Sequence, residues 1–330
     1  MKLTFFLIAI FLILLRLCYP RLELWFNGNQ HGTMITKVGD NYIQGIWWSG
    51  KIRLSDDDRS IAEISPGGYL KFKENDTTMK AESDLQGKIS YTLYNGREEL
   101  PLSDNGQRFI AAQIQKMIRF GFFGDERAKR IYKNGGIPAL LAELSRIRME
   151  GGRDPYLDLI FKADTLTAPQ LIGLLQVIDS SDNTSEQQHL LSRFGRDQLR
   201  DSAVVQKWLC DVGHLRASYM EKDLLTNYID TGLTADRFDT VLAIAGRFET
   251  PEDSKEIYEK LIGFPPRTDI EWAGLIRAVG ALGPDYLKSD LLLTIAPKMP
   301  RNDSLVSAYR LSAKSIQSDD DYGKVMRAVQ

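Results

Sequence analysis

The chain has 330 residues, of which 43% are hydrophobic and 26% are charged, and its formal net charge at pH 7 is -2. This composition excludes a wholly disordered chain, and the near balance of charge excludes a global field that would collect nucleic acid. Two cysteines, Cys18 and Cys210, are too few for a fold that depends on disulfides.

The chain begins with an apolar run over residues 3–15 that only Thr4 interrupts. At about 1.5 Å per residue this run spans roughly 20 Å, which is short for a bilayer core and typical of an export signal. No A-x-A cleavage pattern follows it, and Leu17 stands where a lipobox has a small residue. We therefore expect residues 1–26 to form an uncleaved signal-anchor from which Arg16 snorkels. An atypically cleaved secretory signal and a buried or interfacial helix stay open.

The basic residues on the two sides of this run are nearly balanced, with Lys2 before it and Arg16 and Arg21 after it. The early position and short length of the run therefore decide the topology. We expect the N-terminus to stay cytoplasmic and the rest of the chain to lie on the extracytoplasmic, periplasmic face. The alternative is a protein that is secreted after cleavage.

Residues 30–103 show short alternating runs that are separated by turn dipeptides such as Asn95-Gly96. In the run KISYTLY, for example, Ile89, Tyr91 and Leu93 point to one face and the residues between them to the other. This pattern predicts an antiparallel β domain of six to eight strands, arranged as a small sheet or a sandwich.

From residue 104 to residue 166 the hydrophobic period becomes helical. The stretch KNGGIP contains a glycine pair followed by Pro138, which indicates that one helix stops and another starts. We expect this segment to be a helical connector. Its first helix has an apolar stripe formed by Phe109, Ile110, Ile114, Met117 and Ile118.

Residues 167–330 contain an internal repeat with a period of about 34. Potential helix-capping residues recur at spacings of 34, 33, 34 and 34, namely Thr167, Asp201, Thr234, Thr268 and Asn302. Paired apolar positions, from Leu190-Leu191 to Val325-Met326, keep the same spacings. One two-helix hairpin cannot bury both of its apolar faces, whereas a stack of hairpins can. We therefore expect an α-solenoid of about five two-helix repeats, and an α+β protein overall.

The second helices of these units carry the most distinctive sequences: SSDNTSEQQHLL, ASYMEKDLL, TPEDSKEIY, GPDYLKSDLL and SDDDYGKVM. They resemble the S-S-D-Y-E-K-x-x-x-L-L helical repeats of a group of little-characterised bacterial envelope proteins. In that group the repeats also follow the peptidase domain of zinc-dependent antibiotic-sensor membrane proteins. The stretch SDDDRSIAEISPGGYLKFKE resembles the D-D-x-x-D-I-x-S-I-S-P-G-G-Y segment before those repeats. The likeness covers residues 50–330 and implies an envelope location, but the peptidase motif H-E-x-x-H is absent.

No set of residues forms a recognisable catalytic motif. The three histidines, His31, His189 and His214, are far apart in sequence. Cys210 and His214 form an i, i+4 pair that could in principle pair a thiolate with an imidazole, but Cys210 aligns with a small packed position, Ala243, one repeat later. The acidic runs at residues 56–58 and 319–321 lack the alternation of a calcium loop, so we interpret them as a solvated turn and a helix start. We expect no enzymatic activity, no metal site and no cofactor.

Trp47-Trp48 is the one pair with binding character, because neighbouring rings on a strand point to opposite faces. We expect one ring in the core and the other on the second face or under a partner. A basic cluster around Arg127 and Arg130 lacks interleaved aromatic residues, so we expect no nucleic-acid binding.

The sequence thus favours a membrane-anchored, extracytoplasmic interaction, sensory or scaffold module that binds a protein or a cell-envelope component through its solenoid surface. Two other hypotheses stay open. One is a hydrolase-type enzyme with an unrecognised site between the β domain and the solenoid. The other is a structural envelope protein.

Overall fold

The computed structural model describes residues 31–37, 43–147, 150–163, 165–181, 183–215, 217–264 and 268–330. Over these residues the protein is α+β, with antiparallel strands first and helices after them. The chain divides into two compact units, residues 1–164 and residues 165–330. The predicted signal-anchor at residues 1–26 lies outside the described residues. Among those that are described, no helix is long and apolar enough to cross a membrane.

The β domain has eight described strands, all paired antiparallel as the alternating runs predict. Six of them form one sheet in the order β1-β2-β5-β6-β7-β8, and β3 and β4 form a separate ribbon. Their bounds are β1 His31–Lys37, β2 Ile43–Ser49, β3 Ile52–Leu54, β4 Ile61–Ile64, β5 Tyr69–Glu74, β6 Thr77–Ser83, β7 Ile89–Asn95 and β8 Glu98–Leu100.

The sheet has an inner face and an outer face, because side chains alternate along each strand. Leu93 of β7 is 1% exposed, and the hydroxyl of Tyr91 on the same face lies 2.9 Å from the backbone nitrogen of Ile61 in β4. Ser90 and Tyr94 face the other way. The inner face therefore forms the core of this unit together with the β3-β4 ribbon and the first helix.

Three described helices follow the sheet within the first unit: α1 Asp104–Arg119, α2 Gly124–Leu144 and α3 Glu150–Phe161. The predicted stripe of α1 is buried except for Phe109, which is partly exposed. Helix α2 is interrupted at Gly136, whose φ of 62° and ψ of -156° are not helical. One helix therefore stops and another starts at the glycine pair, as predicted, and α2 denotes both parts of the segment.

The second unit consists of ten described helices, arranged along the chain as five pairs. The pairs are α4 Ala168–Asp179 with α5 Thr184–Leu191, α6 Ser202–Val212 with α7 Ser218–Gly232, α8 Phe238–Ala245 with α9 Pro251–Gly263, α10 Asp269–Gly280 with α11 Asp285–Ile295, and α12 Asp303–Ala313 with α13 Asp319–Arg327. Their number and spacing agree with the repeat that the sequence predicts.

Neighbouring pairs pack through equivalent helices. The first helices contact one another from α4 to α6, from α8 to α10 and from α10 to α12, and all the second helices from α5 to α13 are in contact in succession. The predicted apolar stripe of α11 is at most 2% exposed at each of Leu287, Leu291, Leu292 and Ile295. Each pair therefore buries its apolar surface against its neighbours along the chain.

The capping residues account for most of the predicted helix starts. The side chains of Asp201 and Asn302 accept backbone N–H groups of α6 and α12, and Thr268 forms a reciprocal capping box with Glu271. Thr234 behaves differently, because a 3-10 turn at Ala235–Arg237 separates it from α8. Its hydroxyl donates a hydrogen bond to Asp236 instead.

Candidate functional site

The two adjacent tryptophans of β2 point to opposite faces of the sheet, as predicted. Trp48 is 7% exposed, and its ring meets Phe122 edge-on with 5.9 Å between ring centroids. Its ladder partner is Gly32, where a Cβ atom would lie 1.9 Å from the Trp48 ring. Trp48 is therefore a core residue that requires a glycine at position 32, and its burial leaves it inaccessible to a binding partner.

Trp47 lies on the outer face and is partly exposed. Its ring covers Gly45, where a Cβ atom would lie 2.2 Å from the ring. Any larger residue at position 45 would therefore clash with the Trp47 ring. The ammonium group of Lys71, the ladder partner of Trp47 on β5, lies 5.2 Å from the ring centroid. This is a cation–π geometry, in which the electron-rich ring face attracts the cation.

The acidic run at residues 56–58 is only in part the solvated turn that we expect from the sequence. The side chain of Asp56 is 93% exposed, but that of Asp58 is 14% exposed. Asp58 has a positive φ of 57°, which turns its carboxylate back towards α2. There it accepts hydrogen bonds from Arg127 and Arg130. The two arginines of the basic cluster thus point inward and are not available to an external anion.

Arg127 is the centre of a buried polar network. Its Nε atom lies 2.7 Å from Asp58 Oδ2, and its Nη1 atom lies 2.6 Å from Glu143 Oε1 and 2.9 Å from the Tyr156 hydroxyl. Burial opposes the charge of Arg127, but the hydrogen bond and charge of Glu143, with help from Tyr156 and Asp58, hold its pKa above the ordinary value. The network joins the loop after β3 to α2 and α3, so it has the geometry of an interaction that stabilises the fold.

Cys210 and His214 come together on the surface of the second unit, with 3.7 Å between Sγ and Nδ1. Both residues are exposed. The neighbouring Asp211 is buried and pairs with Lys207 at 2.5 Å, and burial raises the pKa of Asp211 in spite of this pair. Within the described residues, no group of three or more histidine, cysteine or acidic side chains could hold a metal ion.

Exposed tyrosines recur on the second helices of the repeats. Tyr219 of α7 is 57% exposed and Tyr286 of α11 is 54% exposed, and both occupy the second position of their helix. Glu252 holds the same position in α9, between them. Its Oε1 atom accepts a 2.7 Å hydrogen bond from the Tyr286 hydroxyl, which lowers the pKa of Glu252 and raises that of Tyr286. We call these three residues the tyrosine row.

Comparisons of this chain with protein-family models, with curated proteins and with solved structures found no match. The predicted likeness to envelope proteins with helical repeats therefore stays a prediction.

Two features of these sites were missed in the sequence. The tyrosine row has the spacing of the repeat, 33 and 34 residues, so reading the exposed positions in the same register as the apolar ones would have found it. The pairing of Asp58 with Arg127 joins residues 69 positions apart, and no local pattern indicates such a contact.

Proposed function

We propose that this protein is a membrane-anchored, extracytoplasmic interaction module without catalytic activity. In this proposal the ten helices of the second unit are an α-solenoid of five two-helix repeats that binds another protein or a cell-envelope component. The contacts between equivalent helices of neighbouring pairs support it, because such stacking produces an extended surface from short units.

The tyrosine row is the observation that carries the proposal. More than half of the surface of Tyr219 and Tyr286 is exposed, although tyrosine offers a large apolar ring that folding usually covers. Tyrosine is enriched at protein interfaces and among the residues that dominate binding energy. Because Glu252 fixes the hydroxyl of Tyr286, this ring also loses less freedom when a partner covers it.

A photo-crosslinking amino acid at position 219 or 286, in the native envelope, tests the proposed surface. Position 132 is the matched control, because Tyr132 is 42% exposed but lies on α2 of the first unit. We expect one discrete adduct from positions 219 and 286 and a different pattern, or none, from position 132. The same adducts from all three positions, or no adduct from the tyrosine row, would contradict the proposal.

The location is tested separately with a cysteine at Asp76, which is exposed in the turn between β5 and β6. The background is Cys18→Ser with Cys210→Ser, and the reagent is a membrane-impermeant maleimide applied to intact spheroplasts. We expect labelling without lysis, and labelling only after lysis would refute export. Carbonate extraction of the mature chain would indicate that the signal is removed and the protein secreted.

A further inference from the structure

The outer face of the six-stranded sheet carries a compact group of lysines beside Trp47. Ladder pairing places Trp47, Lys71, Lys80 and Thr92 in one row across four neighbouring strands. Because strands lie about 4.8 Å apart, Trp47 and Lys80 are separated by roughly 10 Å. Lys73 lies on the same face, two residues after Lys71. We call Trp47 and these three lysines the lysine face.

The charges on this face are poorly compensated. Lys71 and Lys80 are direct cross-strand partners, an arrangement that destabilises a sheet because like charges face each other. Glu82 pairs with Lys80 at 2.7 Å. Among the described residues, neither Lys71 nor Lys73 makes an ion pair with a carboxylate. The lysine face therefore has an excess of positive charge.

The Trp47 ring adds a flat apolar platform to this charge. Because the ring covers Gly45, it lies against the sheet and does not project from it. A ring in this position can stack on another flat, weakly polar group but cannot insert into a lipid layer. Hydroxyl groups of Thr92 and Thr78 lie on the same face and can serve as hydrogen-bond donors and acceptors.

We propose that the lysine face binds an anionic polysaccharide. A sugar ring can lay its C–H face on Trp47 while its carboxylates pair with Lys71, Lys73 and Lys80, and its hydroxyls suit the neighbouring threonines. Tyr69 and Tyr94 share this face but lie in the ladder rows on either side of the Trp47 row. Single-stranded nucleic acid therefore fits less well, because a stacking platform for successive bases needs several open rings in line. This site goes beyond the proposed function, since it lies in the first unit and does not depend on the tyrosine row.

The test measures binding of the full chain to polygalacturonate, a polymer of sugar carboxylates, by affinity electrophoresis and calorimetry. Dextran is the neutral control polymer. We expect binding to polygalacturonate only, and we expect it to weaken as salt concentration rises, because ammonium–carboxylate pairs are screened. No binding, or equal binding to dextran, would overturn the proposal.

Lys71→Gln is the informative variant, because it removes a repulsive contact with Lys80 and an attractive cation–π contact with Trp47, whose effects on stability oppose each other. We expect it to weaken binding about tenfold or more while the thermal midpoint changes little. Trp47→Leu should weaken binding to a similar degree. Lys129→Gln is the control, because Lys129 is 65% exposed on α2, away from this face. If Lys71→Gln and Lys129→Gln weaken binding equally, the lysine face is not the binding site.

Two other ligands complete the experiment. If vesicles of anionic phospholipid or single-stranded oligothymidylate bind as tightly as polygalacturonate, with the same dependence on Trp47 and Lys71, the face is a general anion surface and the proposal for a polysaccharide fails. An absence of crosslinks from the tyrosine row would not affect the polysaccharide-binding measurement. The two proposals can therefore be refuted independently.

Discussion

The contacts inside the first unit differ in sequence range from the contacts inside the second unit. In the first unit, the ion pair between Arg127 and Asp58 joins residues 69 positions apart, from the loop after β3 to α2. In the second unit, charged pairs such as Lys260 with Asp230 join residues 30 positions apart, which is nearly one repeat. A substitution in a unit with long-range contacts should destabilise the whole unit. In helix pairs that pack mainly on their neighbours, the extent of unfolding should depend on which pair carries the substitution.

The largest expected effect comes from a charge inside the stack. Leu291 and Val325 occupy equivalent positions one repeat apart, and both are 0% exposed. Leu291→Asp places an uncompensated carboxylate between two neighbouring repeats, so we expect it to cost more than about 5 kcal/mol and to expose α9 to α13 to exchange. Val325→Asp should expose only α12 and α13, because nothing described packs beyond that pair.

Hydrogen exchange with mass spectrometry measures the protection of the backbone amides of each helix in both variants. The comparison also needs the first unit as an internal reference, and its exchange should stay unchanged in both variants. Equal loss of protection across all ten helices in the two variants would mean that the second unit is one cooperative core and not a stack.

The next effect tests the long-range tie of the first unit. Arg127→Met removes the cation from a network in which the side chains of Asp58 and Glu143 are 14% and 7% exposed. Because Glu143 then loses its buried cation and Asp58 keeps only Arg130, we expect a loss of about 3–5 kcal/mol in the free energy of unfolding. Urea unfolding followed by tryptophan fluorescence measures it.

Lys129→Met is the matched control on the same helix, since Lys129 is 65% exposed and should cost less than about 0.5 kcal/mol. A second control is Arg127→Met with Glu143→Gln, which removes the carboxylate that has lost its buried cation and should recover part of the loss. If the double variant is as unstable as the single one, the buried charge of Glu143 is not the cause.

The same difference in range explains what the sequence could predict. The five helix pairs were predictable because the spacing of capping and apolar residues repeats along the chain, and the burial of Leu291 follows from that register. The strands were predictable from alternation, which also places Trp47 and Trp48 on opposite faces. The inward turn of Asp58 was not predictable, because its partners lie far away in sequence and its positive φ has no local signature. The lysine face was missed for a related reason, since Lys71 and Lys80 meet only through strand register.

A smaller effect should appear at alkaline pH within the stack. Burial raises the pKa of Tyr258 in the third pair and of Tyr309 in the last pair to about 12 in each case. In the unfolded chain these tyrosines ionise near pH 10. Each buried neutral hydroxyl therefore makes its full contribution to the free energy of unfolding below pH 10, and this contribution is lost as pH rises towards 12. We expect each tyrosine to account for about 1.4 kcal/mol of lost stability by pH 11.

Urea unfolding at pH 8 and at pH 11 separates the two tyrosines. Tyr258→Phe should lose less stability than the parent between these pH values. Tyr309→Phe should show the same reduced pH dependence but should also lose about 1 kcal/mol at pH 8, because the Tyr309 hydroxyl donates a 3.0 Å hydrogen bond to the carbonyl of Leu292 in the preceding repeat. An unchanged pH dependence in both variants would show that the hydroxyls ionise without unfolding the stack.

The smallest effect concerns the charged pairs on the surface of the stack. Lys222 of α7 lies 2.9 Å from Asp253 and 3.0 Å from Glu256, both on α9, and the hydrogen bond to Asp253 is the main cause of its raised pKa. Because water and salt screen such a pair, Lys222→Met should cost only about 0.5–1 kcal/mol, and this loss should shrink in 0.5 M salt. A double-mutant cycle with Asp253→Asn isolates the contact between neighbouring repeats. A coupling energy above about 2 kcal/mol that salt does not change would mean that surface charge, and not only apolar stacking, holds adjacent repeats together.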